Sequence, residues 1–299
     1  DLFAGTSTGS ILAAGLALGR PVSDFIELYR ERGPKIFKSG WERTTDRLFR
    51  FFSDGVSAPL HGDTGLKREL KRQLSREDGS EILLGEVPND LIIQAFDATR
   101  HEPVVFKSRS KQNGVRKLAL WEIVKSSCSA TGYFPSHTLI RPGIQKKSAM
   151  IDGGVFANNP TLCGIVELMA ASGRIGPPDI FVLSVGTGEN SDRSISPGRG
   201  REMGFLEWGL PLVGVFMGGA SLHVHHLVKR LLPDRNYCRF EFIAPPNLSM
   251  DDATDENLDL LESLASAYIN GTGNHNQDEL ESGYDFETNI KRIEAWSDL

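Results

Sequence analysis

The chain is poor in the features that would make its function obvious. Only three of its 299 residues are cysteines, Cys128, Cys163 and Cys238. An odd number at wide spacing is neither a disulfide framework nor a metal-ligand pattern. It fits a reducing compartment, so a cytoplasmic or peripheral membrane location is expected. No excess of positive charge is present: 33 Lys and Arg stand against 39 Asp and Glu, a net charge of −6. That argues against nucleic acid as the partner. With 31 glycines and 15 prolines the sequence is too lean in both for a collagen-like or low-complexity chain. There is no internal repeat, no long linker and no Gly-Lys-Ser/Thr phosphate loop. No signal peptide is visible. The chain starts at Asp1 and enters an apolar run at once, as a truncated or processed chain would.

What is present is enough to fold. At 32.9 kDa, with 39% hydrophobic residues, the chain can bury a core without disulfides or metal. Short β-branched apolar runs alternate with helical patterns, the signature of an α/β fold around a mostly parallel sheet. Strands are expected over 1–4, 90–97, 104–107, 150–152, 180–185 and 237–243. Helices are expected over 7–18, 22–35, 65–74, 119–129, 160–172, 205–232, 254–270 and 278–297. Asn159 before Pro160 supplies an N-cap acceptor and a proline at the first helical position. Gly173 falls where a left-handed helix stop is expected. Residues 251–299 carry 13 acidic side chains against Lys291 and Arg292 alone. This acidic stretch reads as a solvated helical edge.

Two segments suggest contact with lipid. Residues 205–222 are apolar apart from Glu207 and Ser221, and long enough to span a bilayer. Gly209, Pro211, Gly214, Gly218 and Gly219 interrupt them, and His223, His225 and His226 follow. An apolar flap or pocket wall over 205–232 is therefore the better reading. Between residues 30 and 52, seven basic residues alternate with Phe37, Trp41, Phe49, Phe51 and Phe52. Such a mixture suits docking on an anionic lipid interface. An amphipathic helix followed by a core-anchored loop explains it better.

The strongest chemical signal is Gly5-Thr6-Ser7-Thr8-Gly9, between a short apolar strand and an Ala- and Leu-rich helix. This is the strand–turn–helix setting of a nucleophile elbow. The turn would strain Ser7 and expose its hydroxyl, with Gly5 and Gly9 letting strand and helix approach closely. The helix N-terminus would aim N–H groups at a developing oxyanion, Thr8 N–H among them. A tight glycine turn with an incidental serine gives the same letters. The serine needs a base. The histidines are His61, His101, His137, His223, His225, His226 and His275. Chain order in α/β-hydrolases favours the last four. A carboxylate is the other choice: Asp152, with Gly153 and Gly154 after it, closes a short strand in a sharp turn. An Asp at one strand's C-terminal edge shares a rim with a Ser at another's. Burial would raise its basicity.

Several spaced motifs then carry a family resemblance. They are the Ser7 elbow, Phe96-Asp97-Ala98-Thr99, Ser129-Ala130-Thr131-Gly132-Tyr133-Phe134-Pro135, Asp152-Gly153-Gly154-Val155 through Pro160, Leu183-Ser184-Val185-Gly186-Thr187-Gly188, and Met250-Asp251-Asp252-Ala253-Thr254. In this order they resemble the patatin-like phospholipases, or lipid acyl hydrolases. The resemblance implies a doubly wound α/β sandwich forming a single domain over 1–299. It implies a Ser7–Asp152 dyad instead of a triad, and cleavage of phospholipid or related acyl esters through an acyl-serine, with no metal or organic cofactor. Tyr133, Phe134 and Pro135 are candidates for acyl-chain contact. Family members carry a Gly-rich Asp-Gly-Gly-Gly-x-Arg-Gly segment before the elbow that completes the oxyanion hole. Nothing before Asp1 carries it, so its strand and loop, and the remaining donors, are expected upstream in a longer protein. Ser10 stands where many members have glycine. An acyltransferase with the same dyad, or a non-catalytic lipid-binding protein, are the alternatives.

Overall fold

The computed structural model describes residues 1–37, 59–144, 146–190, 195–245, 248, 251–271 and 285–296. The cationic and aromatic stretch beyond residue 37, and His275, lie outside the described residues. The chain divides into two compact units, Asp1–Gly164 and Ile165–Leu299.

The first unit has the expected α/β character. Its sheet contains β1 (Leu2–Thr6), β2 (Asp90–Asp97), β3 (Glu102–Lys107), β4 (His137–Leu139) and β5 (Ser148–Asp152). β1 runs parallel to β2, with Leu2 opposite Asp90 and Thr6 opposite Gln94. β3 is joined to β2 by a short turn and returns antiparallel along its other edge, Ile92 facing Lys107 and Asp97 facing Glu102. β5 pairs antiparallel with residues 95–97 of β2, and β4 pairs antiparallel with β5. Because β3 occupies one edge of β2 over its whole pairing, β1 and β5 share the opposite edge, end to end. The strand ends thus converge from opposite directions, where a common rim of parallel strands was expected.

The residues explain the packing. β2 is buried over Leu91–Ala95 and carries apolar side chains on both faces, as a central strand must. Helix α1 (Thr8–Ala17) lies against the sheet through Ile11, Ala13, Ala14 and Ala17. The helix Leu120–Ser127 covers the same core with Leu120, Ile123 and Val124, none of them exposed. The helix expected over 22–35 is broken. It runs as Val22–Glu27, widens to a π turn at Leu28–Arg32, and closes with Gly33–Ile36. Pro34 has no N–H to continue the i to i−4 ladder, which accounts for the change of winding. Asn159 Oδ1 accepts from the Thr161 N–H at 3.1 Å, as the cap reading required. The helix Thr161–Ser172 ends at Gly173 with φ +61°.

In the second unit β6 (Val182–Val185) pairs parallel with β8 (Tyr237–Phe240), and β7 (Glu189–Asn190) with β9 (Ile243–Ala244). The strand expected over 237–243 breaks after Phe240, where the Glu241 carboxylate accepts the Gly188 N–H at 2.6 Å and pairs with Arg239. A side chain at Gly186 would collide with that carboxylate. The 186–188 turn is thus built around a buried ion pair. The stretch read as a flap or pocket wall is one continuous helix, Phe205–Leu231. No helix among the described residues is long and apolar enough to cross a membrane. The acidic stretch forms the helix Asp255–Ile269, largely exposed.

The two elbow glycines differ in their surroundings. A Cβ at Gly5 would stand 2.6 Å from Ser10 Cα and closer still to Gly9 O, both backbone atoms that cannot move aside. A Cβ at Gly9 would meet nothing within 4 Å. Only Gly5 is therefore demanded by close approach of strand and helix, correcting the expectation for Gly9. Gly5→Ala should destabilise the protein by at least about 1–3 kcal/mol. Gly9→Ala should be neutral or stabilising by up to about 1 kcal/mol, since alanine is the better helix former. Urea denaturation of the two variants checks both signs.

Candidate active site

β1 ends at Thr6 opposite Gln94, and β5 ends at Asp152 opposite Ala95. Gln94 and Ala95 are consecutive in β2, so the chain leaving β1 meets the chain leaving β5. Ser7 Oγ donates a hydrogen bond to Asp152 Oδ2 at 2.5 Å. The other carboxylate oxygen, Oδ1, accepts the Gly154 N–H at 2.7 Å. Gly153 is the hinge of this arrangement. A Cβ there would lie 2.6 Å from the Gln94 carbonyl carbon, so only glycine lets the turn pass β2.

Ser7 has φ 55° and ψ −133°. For a serine this is a sparsely populated backbone that costs about 1–3 kcal/mol and persists only where neighbours over-determine it. They do. Ser7 N–H donates to Ser127 Oγ at 2.9 Å. The Ser7 carbonyl accepts from Ser10 N–H at 2.9 Å, from Ser10 Oγ at 2.6 Å and from Cys128 Sγ at 3.0 Å. Thr6 Oγ1 donates to the Ala157 carbonyl at 2.7 Å, tying the elbow to the turn after Asp152. Ser7 is itself partly exposed, and Thr8, at the first position of α1, is exposed.

Asp152 is 4% exposed. Burial pushes its carboxyl up to about 6, while the donations from Ser7 and Gly154 pull in the opposite direction. Burial also pushes the Cys128 thiol up to about 12, so it keeps the proton it donates to Ser7 O. Lys125 is fully buried, and its ammonium donates to Ser129 Oγ at 2.9 Å. The Ser129 carbonyl in turn accepts the Asp152 N–H at 3.0 Å. None of the three cysteines forms a disulfide.

The histidines are elsewhere. No hydrogen bond joins Ser7 to a histidine among the described residues. His101 sits exposed in the β2–β3 turn with φ 54°. His137 is buried against Trp121, and burial first, then Lys125 and Lys67, hold its imidazole down at about 4. His61 packs against Phe37 and Phe134. In the second unit His225 Nδ1 lies 3.0 Å from the Tyr237 hydroxyl. Of the residues offered for acyl-chain contact, Phe134 is 7% exposed and belongs to the hydrophobic core, with Tyr133 packed beside it. Pro135 is half-buried. Among the described residues, no three His, Cys, Asp or Glu side chains come together as a metal site.

The sequence assigns no role to Ser127 or Cys128, and marks Ser10 only as standing where many members of the resembled family have glycine. All three hold the Ser7 backbone. The run Ser126-Ser127-Cys128-Ser129 at a helix end was the available signal. Small polar residues there are able to bond a passing backbone, but their partner lies 120 residues away.

A family model described as patatin-like phospholipase matches residues 1–162. Patatin-like protein 2 of Oryza sativa subsp. indica is 25% identical over 322 residues, covering 95% of this chain and 76% of that protein. A cGAMP-activated phospholipase of Escherichia coli (strain TW11681) is 25% identical over 289 residues, covering 90% and 77%. Patatin-like protein 2 of Arabidopsis thaliana is 29% identical over 298 residues, covering 87% and 70%.

The raised carboxyl has a consequence for stability. Between about pH 4 and 6 folded Asp152 holds a proton that the unfolded chain has released, so this residue's contribution falls as pH rises through that window. Above it, the buried charge costs roughly 1–3 kcal/mol relative to a neutral group of the same shape. Asp152→Asn should therefore raise the thermal midpoint at pH 8 and leave it nearly unchanged at pH 4. Calorimetry at the two pH values checks the difference.

Proposed function

We propose that this chain, which belongs to the patatin-like phospholipase family, is a serine lipid acyl hydrolase whose chemistry rests on Ser7 and Asp152. The observation that carries the reading is the 2.5 Å hydrogen bond from a strained, partly exposed serine hydroxyl to a buried carboxylate. A nucleophile needs a base within hydrogen-bond reach, and the base works best with a pKa near the working pH. Asp152, lifted to about 6 by burial, is closer to that condition than an ordinary carboxylate.

In this reading the steps use the Ser7 hydroxyl and the Asp152 carboxylate. As Ser7 Oγ attacks the ester carbonyl, its proton passes to Asp152 Oδ2. The carbonyl oxygen becomes an oxyanion, and the Thr8 N–H at the start of α1 is a donor for it. Collapse of the tetrahedral intermediate expels the alcohol, which takes the proton from Asp152 and leaves an acyl-serine. Water then attacks the acyl carbonyl, giving its proton to Asp152. The second tetrahedral intermediate releases the fatty acid and returns the proton to Ser7. Asp152 is anionic, then neutral, then anionic in each half-reaction. The Gly154 N–H stays on Oδ1 throughout and keeps Oδ2 aimed at Ser7. The substrate is a phospholipid or related lipid acyl ester, a reading supported by family membership and by one relative named a phospholipase. No organic cofactor enters this scheme.

Ser7→Ala in the full-length protein should remove fatty-acid release from phospholipid vesicles, by up to about 10⁶-fold. Asp152→Asn should lower turnover by at least about 10²-fold. Single alanine changes at His223, His225, His226 and His275 should leave most activity, and a folded but inactive histidine variant would return the base to imidazole. The base must be ionised to accept a proton. The pH profile of kcat/KM should thus rise tenfold per unit up to about pH 6 and level above it.

A further inference from the structure

Among the described residues no hydrogen bond joins Ser127 to Asp152, yet Ser127 holds the backbone of Ser7. Its hydroxyl accepts the Ser7 N–H at 2.9 Å and donates to the Gln94 carbonyl at 2.6 Å. One acceptance and one donation tie the residue that leaves β1 to the strand β1 pairs with. Gln94 is also where the second half of the site is anchored. Its backbone lies against Gly153, immediately after Asp152, so closely that no side chain fits there. The Gln94 backbone is therefore the common reference for Ser7, through Ser127, and for Asp152, through Gly153. Ser127 is fully buried at the end of the helix Leu120–Ser127.

We infer that Ser127 is a positioning residue, which sets the separation between the Ser7 hydroxyl and the Asp152 carboxylate by fixing the positive φ of Ser7. This deepens the reading of Ser7 and Asp152 as nucleophile and base, and rests on it. The other contacts to Ser7, from Ser10 and Cys128, all fall on its carbonyl. They fix one side of the peptide plane sequence, and Ser127 fixes the other. With the N–H released, Ser7 can relax from φ 55° toward an ordinary turn, and its hydroxyl swings off Oδ2. A displacement on the order of 1 Å in a reacting group costs about 10²-fold in rate.

The test compares Ser127→Ala, Ser127→Cys and Ser7→Ala with the unaltered full-length protein. Three readouts are taken: kcat and KM on phospholipid vesicles, the pH profile of kcat/KM, and thermal unfolding. The alanine variant should lose about 10–100-fold in kcat with KM within about threefold of the original. Its acid limb should move to higher pH. Asp152 loses the hydroxyl donation that lowers its pKa, while Gly154 N–H still donates and the Cys128 thiol stays neutral. Simple loss of stability would leave that limb where it is. The cysteine variant keeps the packed volume with a weaker hydrogen bond, and should fall between the two in both kcat and limb position. If the alanine variant does not fold, the cysteine variant carries the same comparison. Native kcat and an unmoved limb in a folded variant would overturn the inference, as would failure of both variants to fold, which makes Ser127 structural. Ser7→Ala separates the two levels. Full activity in that variant refutes the nucleophile itself, whereas an inactive Ser7→Ala beside an unaffected Ser127→Ala refutes only the positioning role.

Discussion

The hydrogen bond between Ser7 and Asp152 depends on how two strands share one edge of a third. β1 uses residues 90–94 of β2 and β5 uses residues 95–97, from the opposite direction. Their ends therefore arrive at adjacent positions on the same strand, at a separation set by the strand's rise of about 3.3 Å per residue. Everything else in the first unit serves that meeting. β3 closes the far edge of β2, and α1 and the Leu120–Ser127 helix cover the sheet with small and aliphatic side chains. Gly5 and Gly153 remove the two side chains that would hold the elements apart.

The site is energetically unfavourable in two respects, and the surrounding contacts show how each is tolerated. Ser7 occupies a backbone conformation that serine avoids, and Asp152 is a carboxylate taken out of water. The first is held by four hydrogen bonds to the Ser7 peptide groups, from or to Ser10, Cys128 and Ser127. The second is relieved in part by donors on both oxygens, without returning the pKa to that of an exposed acid. A fully solvated aspartate would be more stable and a poorer base. The same burial that costs stability raises the affinity of this carboxylate for a proton.

The second unit shows a related economy of polar groups put to a structural end. Arg239 bonds Ser184 Oγ at 2.7 Å and pairs with Glu241, whose other oxygen takes the Gly188 N–H. These groups are buried, and they shape the Gly186-Thr187-Gly188 turn. The space beside that turn is occupied by a carboxylate of the chain itself.

Much was legible in the sequence. The α/β alternation, β2 over 90–97, the helices at 8–17, 64–73 and 161–172, and the Asn159 and Gly173 helix ends are local properties of spacing and capping. The elbow at Ser7 was legible for the same reason, since strand, glycine, serine and helix are consecutive. The group that partners Ser7 was not. His and Asp candidates were all distant in the chain, and the residues alone left both open until the family motifs were read together. Small polar residues at a helix end were all that marked Ser127 and Cys128, and nothing marked Gln94, because their contacts exist only once β2 and that helix end are brought to the chain leaving β1. Phe134 was offered for substrate contact on its hydrophobicity, but the sequence does not say which apolar residues face inward, and here the core claims it. By itself the sequence determined which residues are able to strain, donate, accept or ionise. Only the tertiary structure decided which of them meet and which are taken out of water, because hydrogen-bond reach and desolvation depend on neighbours that strand pairing supplies from 120 and 145 residues away.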